Sequence, residues 1–175
     1  DAGYMLIFEC EDADTYRKKA VDLKIRDIWS SDLNNGVKAT HYHPKDIGGL
    51  IISVDSMNKT NWKNKDSYWQ WGGDSWRSNK NNKRSIKSIT MNCINPGSLA
   101  KRWSSFLNLS LTNNDDRHCI KGDDFEIFFI EDQKKGIDYL SQLNLRVDNS
   151  ALKKEILNKY KDNEIVICGT KIEIE

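Results

Sequence analysis

The sequence predicts an α+β fold whose sheets curl around a shared face. The main observation is that the order strand, helix, strands occurs three times, beginning near Gly3, Ser85 and Gly136. The repeat lies in the pattern of elements rather than in residue identities. The chain has 175 residues, of which 38% are hydrophobic, and this is enough for one domain or two small ones. No apolar stretch approaches the roughly 20 residues of a membrane span.

The first unit begins with an apolar run at 4–10, which is typical of a strand. A helix over 13–23 follows, because apolar residues recur there at helical spacing after a capping Asp12 or Asp14. Strands are predicted at 25–29, 38–43 and 50–54. Residues 57–84 are rich in Asn, Lys, Ser and Trp and lack aliphatic periodicity, so we predict a functional loop or a linker.

The second unit begins with a strand at 86–94, where apolar and polar residues alternate. Ser98 is the predicted cap of the next helix. The apolar stripe of that helix consists of Leu99, Trp103, Phe106 and Leu107. Short strands are predicted at 109–111, 117–120 and 125–130. The third unit contains a strand at 136–147, a helix capped by Asn149 or Ser150, and a hairpin of 164–168 and 171–174.

Charge and cysteine usage exclude several classes of protein. The formal net charge is +1, which argues against a broad nucleic-acid interface. The basic cluster at 80–84 lies among asparagines and is predicted to be a solvated linker. The four cysteines lie far apart without a C-x-x-C pair, and we predict buried free thiols in a reducing compartment. They are Cys10, Cys93, Cys119 and Cys168. Since no secretory signal is visible, a cytoplasmic protein is expected.

Two histidines near the end of the first unit form the first candidate site. His41 and His43 are two residues apart, so both leave one face of an extended strand. With Asp46, Glu9 or Asp55 they would form a two-His, one-carboxylate set suited to Fe(II), Mn(II) or Zn(II). Two alternatives stay open. His43 and Asp46 could bind a ligand together with the tryptophans and without a metal, or His43 could order its turn while His41 is half-exposed on a strand.

A tryptophan-rich segment forms the second candidate site. Trp69 and Trp71 alternate with Gln70, so they share a face if the segment is extended. Such a pair, with Trp76, can enclose an apolar or aromatic ligand. It can equally cover the open edge of a barrel or a contact between subunits. No Walker loop, G-x-G-x-x-G or G-x-S-x-G motif is present.

The segments 43–55 and 69–76 resemble glyoxalase-like proteins of the vicinal oxygen chelate superfamily. This superfamily also includes glyoxalase I, extradiol dioxygenases and bleomycin-resistance proteins. The resemblance implies paired βαβββ modules whose curled mixed sheets form a half-open barrel around the site. It implies one module in 1–84 and one barrel of two modules in 85–175. The first module would find its partner upstream in a longer natural protein, or in a second chain.

Catalytic members of the superfamily place a divalent metal on His and Glu side chains of the first and last strands of the modules. The predicted opening strands at 4–10 and 86–94 contain no histidine. Glu126 lies close to the carboxylate position of the family and is a candidate ligand-binding residue. His118 is predicted to approach Glu126 across the hairpin.

Three functions are therefore expected as alternatives. The first is a metal-dependent lyase, isomerase or dioxygenase that acts on a small molecule through His41, His43 and Asp46. The second is a binding or sequestration protein of the bleomycin-resistance type, without a metal. The third is a degenerate module that keeps only assembly contacts. The expected cofactor is one divalent metal (Fe, Mn, Zn or Ni) or none. The expected partners are a small molecule and a second copy in a homodimer, with neither nucleic acid nor membrane.

Overall fold

The computed structural model describes residues 3–34, 36–57, 70–73, 75–79, 84–114, 117–160 and 165–175. The chain divides into two compact units. One unit is Met5–Lys80, and the other is Asn81–Glu175 together with Asp1–Tyr4. Each contains helices and a mixed sheet, which confirms the predicted α+β class.

The unit Met5–Lys80 contains a four-stranded sheet. Its elements are β1 (Met5–Cys10), α1 (Ala13–Asp22), β2 (Asp27–Asp32), β3 (Lys38–Tyr42), α2 (Pro44–Ile47), β4 (Ile51–Ser56), a 3₁₀ turn (Gln70–Gly72) and α3 (Trp76–Asn79). The strand order is β1-β4-β3-β2. The first strand lies parallel to the last, and the other pairs are antiparallel. This is the βαβββ arrangement.

Helix α1 covers one face of this sheet. Its cap is Asp12, whose carboxylate accepts hydrogen bonds from the backbone N–H groups of Asp14 at 3.0 Å and Thr15 at 3.2 Å. The helix contacts β3 and β4. Its Arg17 Nε donates a hydrogen bond to Thr40 Oγ1 at 2.8 Å. Because side chains alternate along a strand, the odd-numbered residues of β3, on either side of Thr40, lie on the opposite face. We call that face the open face of the four-stranded sheet.

The other unit contains a seven-stranded sheet. Its elements are β5 (Arg84–Cys93), α4 (Pro96–Leu107), β6 (Ser110–Asn114), β7 (Arg117–Lys121), β8 (Glu126–Glu131), β9 (Tyr139–Val147), α5 (Ser150–Lys159), β10 (Ile165–Ile167) and β11 (Thr170–Ile174). The strand order is β10-β11-β9-β5-β8-β7-β6. Strand β5 is parallel to β8, and β9 is parallel to β11. The antiparallel pair β5–β9 joins the two halves through their first strands.

Helix α4 packs on one face of the seven-stranded sheet. Asn95 caps it by accepting a hydrogen bond from Ser98 N at 3.0 Å, so Ser98 lies inside the helix and the prediction of Ser98 as the cap was wrong. Trp103 is fully buried and meets the Phe129 ring edge-on at 5.4 Å. Asn108 ends the helix in the left-handed conformation, with φ of 56°. The predicted apolar stripe is buried as expected: Leu99, Trp103, Phe106 and Leu107.

The described cysteines are free thiols, and three of them are buried. Cys168 is exposed, which differs from the prediction of a buried thiol. It lies in the two-residue turn between β10 and β11, with φ of 48°, and Gly169 follows with φ of 74°. Two positive φ values in succession are typical of a tight hairpin turn, where side chains point to solvent. Among the described residues, no helix is both long and apolar enough to cross a membrane.

Candidate functional site

His43 does not continue the strand that carries His41. Strand β3 ends at Tyr42, and His43 is the cap of α2, where its Nδ1 accepts a hydrogen bond from Lys45 N at 3.1 Å. Pro44 occupies the first helical position, as prolines often do. Because the strand ends one residue before His43, strand alternation does not place both imidazoles on one face.

Asp46 connects α2 to the chain before β2. Its carboxylate accepts hydrogen bonds from Arg26 N at 3.0 Å, Nε at 2.7 Å and Nη2 at 2.8 Å. The guanidinium of Arg26 holds the pKa of Asp46 well below its usual range. Gly48 and Gly49 then lead into β4 with φ of 93° and 84°, a region that glycine tolerates far better than other residues. The segment is a rigid, ion-paired connection.

His41 belongs to a group of rings in contact on the open face of the four-stranded sheet. It is paired in register with Trp29 of β2. The ring centroids of Trp29 and His41 are 4.5 Å apart at an interplanar angle of 41°. Trp71, in the 3₁₀ turn, meets Trp29 edge-on at 6.4 Å. We call Trp29, His41 and Trp71 the aromatic cluster. His41 and Trp71 were predicted from the sequence as candidate site residues, and Trp29 was not.

The other two candidate tryptophans are placed differently. Trp76 begins helix α3 and is half-buried. Trp69 lies outside the described residues, so its role stays a prediction. Trp71 is in a 3₁₀ turn rather than a strand. The alternation of side chains along a strand therefore does not determine the direction of the Trp71 side chain.

A buried carboxylate lies on the same face as the aromatic cluster. Asp55 of β4 is 4% exposed, and its Oδ1 accepts a hydrogen bond from Ser53 Oγ at 2.5 Å. Burial raises the pKa of Asp55, while the Ser53 hydroxyl and the nearby His41 oppose that rise. Glu9 of β1 is the register partner of Asp55. The structure thus places His41 with Glu9 and Asp55 on one face, and His43 with Asp46 in the α2 segment.

Glu126 lies in a row of polar side chains that crosses the seven-stranded sheet. The register runs from Lys121 to Glu126, then to Ser88, Asn144 and Glu173. We call these five residues the polar row. Asn144 Nδ2 donates a hydrogen bond to Ser88 Oγ at 2.8 Å, across the seam between β5 and β9. Ser88 is 3% exposed.

Further contacts connect the polar row into a network. Gln142 Nε2 donates hydrogen bonds to Asn144 Oδ1 at 2.7 Å and to Glu173 Oε2 at 2.9 Å. Both carboxylates have lysine partners: Lys121 Nζ lies 3.3 Å from Glu126, and Lys171 Nζ lies 3.0 Å from Glu173. Of these residues, only Glu126 was predicted from the sequence as a candidate site residue. The alternation of polar and apolar residues in 86–94 was the sequence signal that could have identified Ser88.

The polar row lies on the face of its sheet that points away from α4. Ile127 and Phe129, which alternate with Glu126 and Phe128, are fully buried, and Phe129 contacts Trp103 of α4. Glu126 and Phe128 therefore point to the other side, which we call the open face of the seven-stranded sheet. On this face Arg117 lies over the Phe128 ring, 4.4 Å from its centroid.

His118 does not approach Glu126, and that prediction was wrong. His118 is the register partner of Phe129, whereas Glu126 pairs with Lys121, so the two side chains leave opposite faces. The His118 ring lies beside the start of α4, where a Cβ on Gly97 would come within 3.1 Å of Nε2.

No protein-family model matches the chain, and no curated protein matches it. Solved structures do. A hypothetical protein from Staphylococcus aureus has a TM-score of 0.62 at 11% identity, over 97% of this chain and 63% of its own. The Mn(II)-bound glyoxalase from Novosphingobium aromaticivorans has a TM-score of 0.59 at 11% identity, and the match covers 90% of this chain and 51% of the glyoxalase. A 4-hydroxymandelate synthase variant from Streptomyces coelicolor has a TM-score of 0.62 at 9% identity, and the match covers 97% of this chain and 56% of the synthase.

The chain has a glyoxalase/dioxygenase-like fold. It spans between 51% and 63% of the length of these structures. At such low identity the similarity establishes the fold of the chain, and its chemistry must be derived from its own side chains.

The donor groups of the polar row do not fit the metal that this fold implies. Carboxylates are present on the last strands, at Glu126 and Glu173, but the first strands carry the hydroxyl of Ser88 and the amide of Asn144. Fe, Mn and Zn sites in proteins rely on imidazole, thiolate and carboxylate ligands. Across the described parts of the chain, no three His, Cys, Asp or Glu side chains are close enough to hold a metal ion.

Proposed function

We propose that the chain is a binding or sequestration protein, which holds a small polar organic molecule on the open face of the seven-stranded sheet. The polar row is the observation that carries the proposal. It spans five adjacent strands and crosses the seam between the two halves of the sheet. Amides and carboxylates in one line can donate to and accept from a ligand that carries hydroxyl or amide groups.

The pairing within the polar row supports selectivity for such a ligand. Asn144 is already hydrogen-bonded to both Ser88 and Gln142. A ligand that displaces one of these contacts must restore it, because an unsatisfied buried polar group costs about 1–3 kcal/mol. Apolar ligands of similar size are therefore disfavoured. Phe128, beneath Arg117, offers a flat surface for the ring of a ligand at the edge of the row.

A metal-dependent enzyme is the second candidate function. The observation in its favour is that a Mn(II)-bound glyoxalase shares the fold. His41, His43 and Asp46 are the residues that the sequence assigns to this chemistry. Only His41 lies on an open sheet face, whereas His43 and Asp46 belong to the α2 segment. We therefore favour the binding function.

The decisive experiment compares two amide replacements in one ligand screen. A library of polar metabolites is screened by thermal shift, and hits are measured by calorimetry with Asn144→Leu and Gln133→Leu. Gln133 donates a hydrogen bond to Ile94 O at 2.9 Å and lies outside the polar row. We expect Asn144→Leu to weaken binding at least about tenfold, or about 1.4 kcal/mol, and Gln133→Leu to leave it unchanged.

Two results would contradict the proposed function. One is equal affinity of the hits for both variants, which would move the ligand away from the polar row. The other is about one equivalent of a divalent metal per chain, measured by mass spectrometry on protein purified without chelator and lost in His41→Ala/His43→Ala. That result would make the enzyme the better interpretation.

A further inference from the structure

The aromatic cluster on the four-stranded sheet is unusually exposed. Trp29 is 45% exposed and Trp71 is 39% exposed, although they contact each other. Ile7, on the same face, is 56% exposed. Tryptophan is highly buried on average, so two exposed indoles in contact indicate a recognition surface.

Two carboxylates lie among the described sheet positions of this face. By strand register, the described sheet positions of the face contain the carboxylates of Glu9 and Asp55, and they contain no lysine or arginine. These positions are Met5, Ile7, Glu9, Trp29, Ser31, Ala39, His41, Ile51, Ser53 and Asp55. The faces of indole rings carry partial negative charge as well. Rings and carboxylates therefore favour a positively charged ligand.

We propose that Trp29, Trp71 and Asp55 form a site for a small organic cation, such as a quaternary or primary ammonium group. The rings supply cation–π attraction, which is strongest for tryptophan. Asp55 supplies a full opposite charge and is 4% exposed. It lies on the same sheet face as Trp29, and His41, whose ring contacts Trp29, is close enough to interact electrostatically with the Asp55 carboxylate. A compact cation can reach such a recessed carboxylate more readily than a flat protein surface can.

The state of Asp55 supports this assignment. Burial raises the pKa of the Asp55 carboxyl, and its one described hydrogen-bond donor is the Ser53 hydroxyl. A bound cation would stabilise the ionised carboxylate that burial disfavours. This site is independent of the proposed polar-row ligand, because the two sets share no residue and lie on different sheets. Failure of one proposal leaves the other in place.

The experiment uses a charged probe and its neutral isostere. Choline and 3,3-dimethyl-1-butanol have nearly the same shape, but only choline carries a charge. Binding of both is measured by calorimetry with the full chain, with Trp29→Leu and Asp55→Asn, and with Val21→Ala as the control. Val21 lies on α1, which covers the opposite face, and is 77% exposed. We expect choline to bind at least about tenfold more tightly than the isostere.

The variants locate the site. Trp29→Leu and Asp55→Asn should each weaken choline binding at least about tenfold, and Val21→Ala should leave it unchanged. Near-ultraviolet circular dichroism checks that each variant is folded. If Asp55→Asn is not, Trp71→Leu, in an exposed 3₁₀ turn, replaces it with the same expected loss.

Three outcomes would overturn the cation site. The first is no choline binding at concentrations up to about 10 mM. The second is equal binding of choline and the isostere, which would indicate a purely apolar surface. The third is a dimer in gel filtration that Trp29→Leu dissociates while choline has no effect, which would make the face an interface between copies.

Discussion

The open faces of the two sheets carry opposite kinds of chemistry on related scaffolds. The four-stranded sheet has the aromatic cluster of Trp29, His41 and Trp71 on the same face as a buried carboxylate. The seven-stranded sheet has amides, a hydroxyl and lysine-paired carboxylates. In both sheets the first strand of a module is parallel to its last strand. The module topology therefore does not determine which side chains its open face carries.

The alternation of side chains explains this independence. In β4, Ile52 and Val54 lie on the helix-covered face, while Ser53, which is equally buried, lies between them on the open face. In β8, Ile127 and Phe129 are fully buried on the helix side, and Glu126 precedes them on the other side. One half of each strand specifies the fold, and the other half can change with function.

The largest expected effect separates the two roles of tryptophan. Trp103→Ala removes a fully buried side chain from the α4 core, and we expect a loss of about 3–5 kcal/mol in the free energy of unfolding. Trp29→Ala removes a 45% exposed side chain, and we expect a loss below about 1 kcal/mol. Urea unfolding of both variants measures the difference. Equal losses would show that Trp29 is a core residue and weaken its assignment to ligand binding.

A smaller effect tests whether the polar row is a connected network. Asn144→Leu leaves Ser88 and Gln142 without one of their partners, so we expect a loss of about 1–2 kcal/mol by urea unfolding. The matched variant Gln133→Leu removes an exposed amide and should cost less than about 0.5 kcal/mol. A neutral Asn144→Leu would indicate that water satisfies the row.

The smallest effects concern two aspartates with opposite pKa shifts. The pKa of Asp55 is raised by burial, so its ionised form destabilises the fold, and protonation as pH falls toward about 4 removes that cost. Asp55→Asn should therefore raise the melting temperature by a few degrees at pH 7. The pKa of Asp46 is lowered by Arg26, so its stabilisation is complete above about pH 4 and is lost below it.

Asp46→Asn should accordingly lower the melting temperature slightly at pH 7, since Arg26 is exposed and solvent screens the pair. Melting curves from pH 7 to pH 3 compare both variants with the natural chain. The two differences should have opposite signs at pH 7, and both should shrink at low pH. The same sign for both would contradict the environments described for these carboxylates.

The sequence predicted the apolar half of the molecule well, because burial leaves a periodic pattern. The stripe of α4 and the alternation in β5 follow directly from it. His43 was assigned to a strand because its spacing from His41 suggested alternation, although the following Pro44 was a signal for a helix start. Trp29 and Asn144 could not be assigned, because their partners come from strand register, which a single sequence does not determine.

The seam between β5 and β9 has a consequence for how the protein is made. Strand β5 leaves the ribosome well before its partner β9. Because synthesis adds about 5–20 residues per second, the edge of β5 that pairs with β9 is unpaired for a few seconds. An unpaired edge is a template for another nascent chain on the same messenger RNA. Ser88, Thr90 and Asn92 lie along this strand, and their polar side chains would keep the waiting segment hydrated. We therefore expect the polar side chains of β5, among them Ser88 of the polar row, to limit strand exchange between neighbouring nascent chains.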